Sequence, residues 1–212
     1  YVNFPIYVDR SDRRALAPLN INTSDKLDRD ESDWNILQAI KHCQAVLRDK
    51  RTPPADKALA YCWLLHLVGD SHQPLHSCAL FSASRFPKGD RGGNSIPLVR
   101  GDNLHALWDN LLGRQHYLRN VDREVAELEV DYDDVWKSAA KERNPRRWIA
   151  ESHKLAQDFA YDDAILEVVR RATPQQPLEK IELSDEYLKE AGDHARRRIV
   201  AAGARLGAAL SE

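Results

Sequence analysis

His66-x-x-x-Asp70 and His105-x-x-x-Asp109 repeat one pairing of an imidazole with a carboxylate, and a third imidazole, His76, stands between them in Gln73-Pro74-Leu75-His76. Four residues is just over one helical turn, so on helices each pair projects from one face toward a shared ion. Imidazole and carboxylate donors in low coordination suit zinc. His76, His105 and Asp109 make such a set, two imidazoles and one carboxylate with a position left for water. His66 and Asp70 are half of a second set, in which Asp70 can bridge two ions. Ions a few ångströms apart polarise phosphoryl oxygens, supply hydroxide at neutral pH and stabilise a leaving oxygen. The chemistry expected is phosphodiester hydrolysis by metal-activated water, without a covalent intermediate and with Asp70 as the catalytic carboxylate.

One His-x-x-x-Asp alone is more often a surface pair. Two copies plus His76 within residues 66–109 turn the balance toward a metal site. His72 falls outside the spacing and reads as a neighbour of the ligands. His42, His116, His153 and His194 read as surface or core histidines. Trp34, Trp63, Trp108, Trp136 and Trp148 read as core residues on apolar helix faces. The basic run Arg143 to Arg147 reads as a solvated helix start.

Helices must position the pairs. Ile36, Leu37, Ile40, Cys43 and Leu47 recur at three- and four-residue spacing behind a Ser32-Asp33 capping signal. A second helix starts at Pro53-Pro54 and runs through Leu59, Trp63 and Leu67 to Asp70, where Pro74 forbids continuation. Residues 85–100, with Gly89, Gly92, Gly93 and Pro97, read as a glycine-rich loop or short hairpin. The second pair follows on a helix from Asp102 to Leu112. Val125 to Ala140 and Pro145 to Tyr161 read as helices, and Pro174 and Pro177 mark a linker. The last helix carries a stripe of Ala191, Ala195, Ile199, Ala202, Leu206 and Ala209, with Arg196, Arg197 and Arg198 mostly off it. Tyr1 to Asp33 reads as an irregular surface segment.

The expectation is an all-α single domain over residues 1–212, since 212 residues with 42% hydrophobic content enclose one sizeable core. No apolar run approaches the ~18 residues that cross a bilayer. Thirty-one basic against 33 acidic residues give a net charge of -2, without the basic excess of a phosphate-neutralising protein, so attraction for phosphate must be local and cationic metals would supply it. Cys43, Cys62 and Cys78 form no Cys-x-x-Cys pair and indicate neither a disulfide framework nor a thiolate zinc site. A chain that begins at Tyr1 and holds no Met reads as a processed or truncated product.

These motifs resemble the zinc-dependent, single-strand-preferring nucleases of fungi, plants and bacteria, whose helical fold is shared with bacterial phospholipase C. The resemblance runs through His66-Leu67-Val68-Gly69-Asp70, Gln73-Pro74-Leu75-His76, Asp90-Arg91-Gly92-Gly93-Asn94 and Asn103-Leu104-His105-Ala106-Leu107-Trp108-Asp109. Weaker signatures follow at Trp148-Ile149-Ala150-Glu151-Ser152 and Ala202-Gly203-Ala204-Arg205-Leu206. The resemblance implies up to three zincs that hydrolyse RNA and single-stranded DNA and remove 3'-phosphates from nucleotides. It places His76, His105 and Asp109 on one zinc, His66 and Asp70 on a second, and Asp70 as a bridge to a third. Tyr1-Val2-Asn3-Phe4-Pro5 resembles the stretch after another family ligand, with Tyr1 stacking a nucleobase and Asn3 near its edge. The family's earlier ligands have no counterpart in this chain, so fewer than three zincs are expected. The resemblance also implies a secreted or periplasmic protein; a monomer is expected, and no membrane contact, since the sequence shows no amphipathic helix rich in aromatics of the kind that docks on a membrane. Two other readings stand beside it: a phospholipase C-like phosphodiesterase acting on a lipid head group, and a metal-stabilised binding protein without catalysis.

Overall fold

Asn35 starts the helical body of the chain. Its side-chain oxygen accepts from the backbone N–H of Leu37 at 2.8 Å and of Gln38 at 3.3 Å, and Gln38 Oε1 accepts from Asn35 N at 3.1 Å. The two orphan ends of the first turn are thereby satisfied reciprocally. The cap is Asn35 rather than Ser32, which lies outside the described residues, because the Asn35 amide also donates to the carbonyls of Asn22 at 3.1 Å and Ser24 at 2.8 Å. The computed structural model describes residues 1–17, 19–27, 33–113 and 118–211. Helix α2 (Ile36–Arg48) buries Ile36, Leu37, Ile40 and Cys43, and it packs against α3 (Pro54–Asp70).

The face that α3 buries differs from the expected one. Ala60, Leu64 and Val68 are buried, whereas Leu59 is exposed and Trp63 is 52% exposed. Apolar residues occur on every side of this helix, so periodicity cannot choose a face. Tertiary packing chooses the one on which the small Ala60 admits α2.

The opening segment is more regular than its composition indicates. It holds β1 (Phe4–Tyr7) and α1 (Arg10–Ala15). β1 pairs in parallel with β2 (Cys78–Phe81) in the register Phe4↔Cys78 to Tyr7↔Phe81, and all four residues of β2 are buried. A four-residue strand is too short to show alternation, and its partner is distant in sequence. In the glycine-rich loop the described residues form isolated bridges, Ser82 with Phe86 and Pro97 with Asn103, in place of a hairpin.

The chain continues through α4 (Leu104–Asp109), α5 (Leu118–Asp131), α6 (Asp133–Ala139) and α7 (Pro145–Leu155), which runs into a π turn at Ala156–Ala160. The stretch Val125 to Ala140 is two helices because Tyr132, at φ -127, turns inward and donates to Asp193 at 2.7 Å. Helices α8 (Asp163–Arg171) and α9 (Asp185–Leu210) complete an all-α architecture around one two-stranded sheet. No described helix is long and apolar enough to cross a membrane.

Two apolar clusters flank the ligand-bearing segments. One gathers β2, Leu104, Trp108, Tyr161, Ile165 and Tyr187, and the other gathers α2, α3, Trp148, Ile149 and Ala202. Trp108 and Trp148 are core residues, but Trp136 is exposed, and Trp34 is half-buried ahead of α2. Along α9, Ala191 and Ala202 are buried as the stripe predicts. Ile199 is exposed, while Arg205 and much of Arg198 turn inward toward an acidic partner on α7.

Candidate metal centre

Three short elements bring the ligand candidates together. α3 ends at Asp70, and the chain turns through Ser71, His72 and Gln73, whose N–H returns to the Asp70 carbonyl at 3.2 Å. A 3₁₀ turn (Pro74–Ser77) then presents His76, with Gln73 Oε1 capping Leu75 N at 2.5 Å. α4 is capped by Asn103 Oδ1 on Ala106 N at 2.8 Å, and it carries His105 in its first turn and Asp109 at its end. His76 Nε2 lies 3.5 Å from Asp109 Oδ1, and His105 Nε2 lies 3.5 Å from Asp109 Oδ2. His76 Nδ1 lies 3.5 Å from Asp70 Oδ2, which stands 3.3 Å from His66 Nε2. Both pairs and His76 therefore converge on one region, His76 at its centre.

The donors fit a divalent metal ion. His76 is buried, and neither ring nitrogen has a hydrogen-bond partner. Each nitrogen faces a carboxylate oxygen at 3.5 Å, too long for a good hydrogen bond, and a metal ion held between ring and carboxylate would satisfy both. His76, His105 and Asp109 offer donor atoms within 4.8 Å of one another, the one group of three or more such donors among the described residues. Two ligands on a tetrahedral ion at about 2.05 Å stand about 3.3 Å apart, close to the two 3.5 Å separations here. His105 Nδ1 donates to the Gly92 carbonyl at 2.6 Å, which fixes its tautomer and leaves Nε2 as the donor to metal. A neutral imidazole has one acceptor nitrogen, so His76 can serve one ion and direct its remaining N–H to a carboxylate.

Spacing alone did not find the groups that hold these ligands. Gln73 Nε2 donates to Asp109 Oδ1 at 2.9 Å. The fully buried Asp90 accepts from Leu80 N, Gly93 N and the Tyr161 hydroxyl, each at 2.8 Å. It organises a turn in which Arg91, Gly92 and Gly93 all take positive φ, at 64°, 59° and 83°, and from which the Gly92 carbonyl meets His105. The run Asp90-Arg91-Gly92-Gly93 was the visible signal, though nothing in it named His105 as the object.

The profile of the S1/P1 Nuclease family matches residues 5–212, which takes in every one of these elements. The chain belongs to the S1/P1 nuclease family. It is 29% identical to Endonuclease 4 of Arabidopsis thaliana over 168 residues, covering 72% of this chain and 49% of that protein. It is 30% identical to Endonuclease 5, covering 72% and 50%, and 28% identical to Endonuclease 1, covering 84% and 55%, both from the same plant. The chain spans about half the length of these relatives.

Charge in this S1/P1 family member is balanced around His76. Burial lowers the imidazole pKa, but the carboxylates of Asp109 and Asp70 outweigh it and hold His76 above its ordinary 6.5. Burial likewise works to raise Asp70 and Asp109. His76 and His66 overcome it for Asp70, and His76 and Gln73 for Asp109, so both fall below 3.8. Without metal, the stability that His76 contributes is complete below 6.5 and is lost as pH rises through its raised folded value. The carboxylates contribute above 3.8 and lose that contribution as pH falls through their depressed values. The contribution of these three groups to the stability of the metal-free protein is therefore greatest between pH 3.8 and 6.5 and falls as pH rises through the raised His76 value. Metal affinity runs the other way over the latter interval, because the imidazole must give up its proton to bind. The gap in melting temperature between protein with and without metal is expected to widen from about pH 6 to 8; a gap that stays constant or narrows would overturn the assignment.

Tyr1 sits beside this centre, 65% exposed, its ring edge-on to His76 at 4.3 Å and to His105 at 6.1 Å. Val2 N donates to the His76 carbonyl at 3.2 Å, tying the segment to the ligand turn. Asn3 is exposed and lines a cleft with Tyr1, Trp34 and Lys88. His72 is buried and hydrogen-bonded to Val68, Ser71 and Arg205, away from the ligands. His42 lies against Trp34, His153 against Phe4 and His194 against Phe159. His116 lies outside the described residues.

Proposed function

We propose that this chain is the metal-binding, catalytic part of a zinc-dependent nuclease that hydrolyses phosphodiester bonds in single-stranded DNA and RNA, with 3'-nucleotidase activity, working as a secreted or periplasmic monomer. The observation that carries this reading is His76, a buried imidazole whose two ring nitrogens each face a carboxylate oxygen at 3.5 Å without a standard hydrogen bond, beside an exposed tyrosine ring. The family match and the endonuclease names of its relatives support the reaction class. Imidazole with carboxylate is a donor set that suits zinc.

His76, His105 and Asp109 would hold one zinc, and His66 with Asp70 would contribute to a second. When bound, zinc supplies a hydroxide-level nucleophile near neutral pH and draws charge from the phosphoryl oxygens. The protein's own groups do the rest. Asp70, ionised at neutral pH, faces both His66 and His76 and would orient the attacking water by accepting a hydrogen bond from it. Tyr1 offers an aromatic face to any base, which suits an unpaired strand and carries little sequence preference. Asn3 would meet the base edge. A duplex keeps its bases stacked on one another and cannot use Tyr1 in this way.

The test is to incubate the protein with single-stranded DNA, duplex DNA, RNA, a 3'-nucleotide and phosphatidylcholine vesicles, with chelator and after zinc is restored. Chelator-sensitive loss of the single strands ahead of duplex is the expected result, with phosphate released from the nucleotide. Lipid turnover without nucleic acid cleavage would instead establish a phospholipase, and inertness with bound zinc a binding protein.

A further inference from the structure

Two of the weaker signatures, around Glu151 and Arg205, take no part in the metal centre as described. Their side chains meet each other. Glu151 on α7 accepts from Arg205 on α9 through both oxygens, Oε1 from Nη2 and Oε2 from Nη1, each at 2.7 Å. Oε2 also accepts from Arg198 Nη1 at 2.7 Å. Two guanidiniums thus share one carboxylate, and Arg205 is only 4% exposed.

What the pair does next joins it to the ligands. Arg198 Nε donates to the His72 carbonyl at 3.1 Å, and Arg198 Nη2 donates to Ser152 Oγ at 2.7 Å. Ser152 Oγ in turn donates to the Ser71 carbonyl at 2.7 Å. Arg205 Nη1 also reaches His72 Nε2 at 2.9 Å, and because a guanidinium only donates, His72 Nδ1 must carry the proton that goes to the Val68 carbonyl at 2.7 Å. The Ser71 and His72 carbonyls of the turn between α3 and the 3₁₀ helix, and the His72 ring, are therefore gripped from behind by α7 and α9. Asp70 precedes this turn, Gln73 leaves it to hold Asp109, and His76 follows.

A buried ion pair is poor evidence for stability, since an apolar replacement of similar volume is often no worse. Its directional bonds have a more specific use. A planar guanidinium held bidentately has little freedom, and it passes that rigidity to whatever its other N–H groups touch. We propose that Glu151, Arg198 and Arg205 are positioning residues for the metal centre, setting the separation of Asp70, Gln73 and His76 through the backbone of Ser71 and His72. The proposal rests on the reading of His76, His105 and Asp109 as metal ligands.

Cobalt titration of the chain, read by the visible absorption of the bound ion, separates this role from simple bracing. Glu151→Gln keeps the volume and removes the charge. It is expected to retain the helical circular dichroism signal while weakening cobalt binding by about 10- to 100-fold and altering the absorption band. Arg198→Met leaves the Glu151–Arg205 pair intact, removes the bond to the His72 carbonyl, and should act in the same direction; it also decides the matter should Glu151→Gln not fold. Cobalt affinity and band shape equal to the parent in a folded variant would overturn the proposal, as would a loss of binding that follows unfolding step for step. His76→Ala is the control: parent binding that His76→Ala abolishes and Glu151→Gln leaves alone defeats only the positioning role. Equal binding by parent and His76→Ala defeats the metal assignment and the proposal together.

Discussion

Replacing His76 by alanine is expected to lower zinc affinity by at least about a hundredfold and to reduce hydrolysis to the level of chelator-treated protein. A structural zinc site releases about 10–16 kcal/mol across four ligands, so one ligand's share is about 3 kcal/mol, and each 1.4 kcal/mol is about tenfold. The effect at His76 should exceed that at Asp109, because His76 stands between both carboxylates while Asp109 keeps 43% of its side chain in solvent, where water can replace it. A second consequence identifies the mechanism. In the metal-free protein the carboxylates of Asp70 and Asp109 favour the protonated form of His76, so its removal should take away the share of stability that is lost as pH rises above 6.5, seen as a variant-minus-parent difference that shrinks with rising pH, as well as abolish metal binding. Equilibrium dialysis and melts of the same variant measure both. Unchanged zinc content would defeat the assignment outright.

The grouping of the candidate ligands was legible because its members lie on local elements. Four-residue spacing on α3 and α4 needs only a helix to bring His66 to Asp70 and His105 to Asp109, and Pro74 marks the stop that frees His76 to turn back. What the ligands lean on was not legible. Glu151 and Arg205 meet only when α7 and α9 pack, and Arg198 reads only as lying mostly off the small-residue stripe, because no local pattern says that its partner is a carboxylate on another helix. The same blindness to tertiary packing put Trp63 in the core. With apolar residues on every side of α3, the buried face is decided by α2 and by the small Ala60. β1 escaped notice for a related reason, since a four-residue strand is defined by β2, its distant partner.

Gly92→Ala tests how tightly the glycine turn and the ligands are joined. Gly92 has φ +59, and a Cβ there would lie 2.4 Å from the Leu75 carbonyl oxygen, which belongs to the 3₁₀ turn that carries His76. Its own carbonyl accepts from His105. Neither neighbour can yield without moving a candidate ligand: a shift of the Leu75 backbone carries His76, and a shift of Gly92 releases His105. Left-handed backbone at a non-glycine residue costs about 1–2 kcal/mol, and a forced core overlap adds about 1–3 kcal/mol, so a loss of about 3 kcal/mol in stability is expected. Gly101 provides the comparison. Its φ is +97, but a Cβ there meets nothing within 4 Å, so Gly101→Ala should carry the backbone cost alone and leave metal affinity untouched. Denaturant melts and zinc titrations of both variants decide the point. If the two lose equal stability and bind zinc equally well, the contact from Gly92 to the ligand turn has no part in holding the centre.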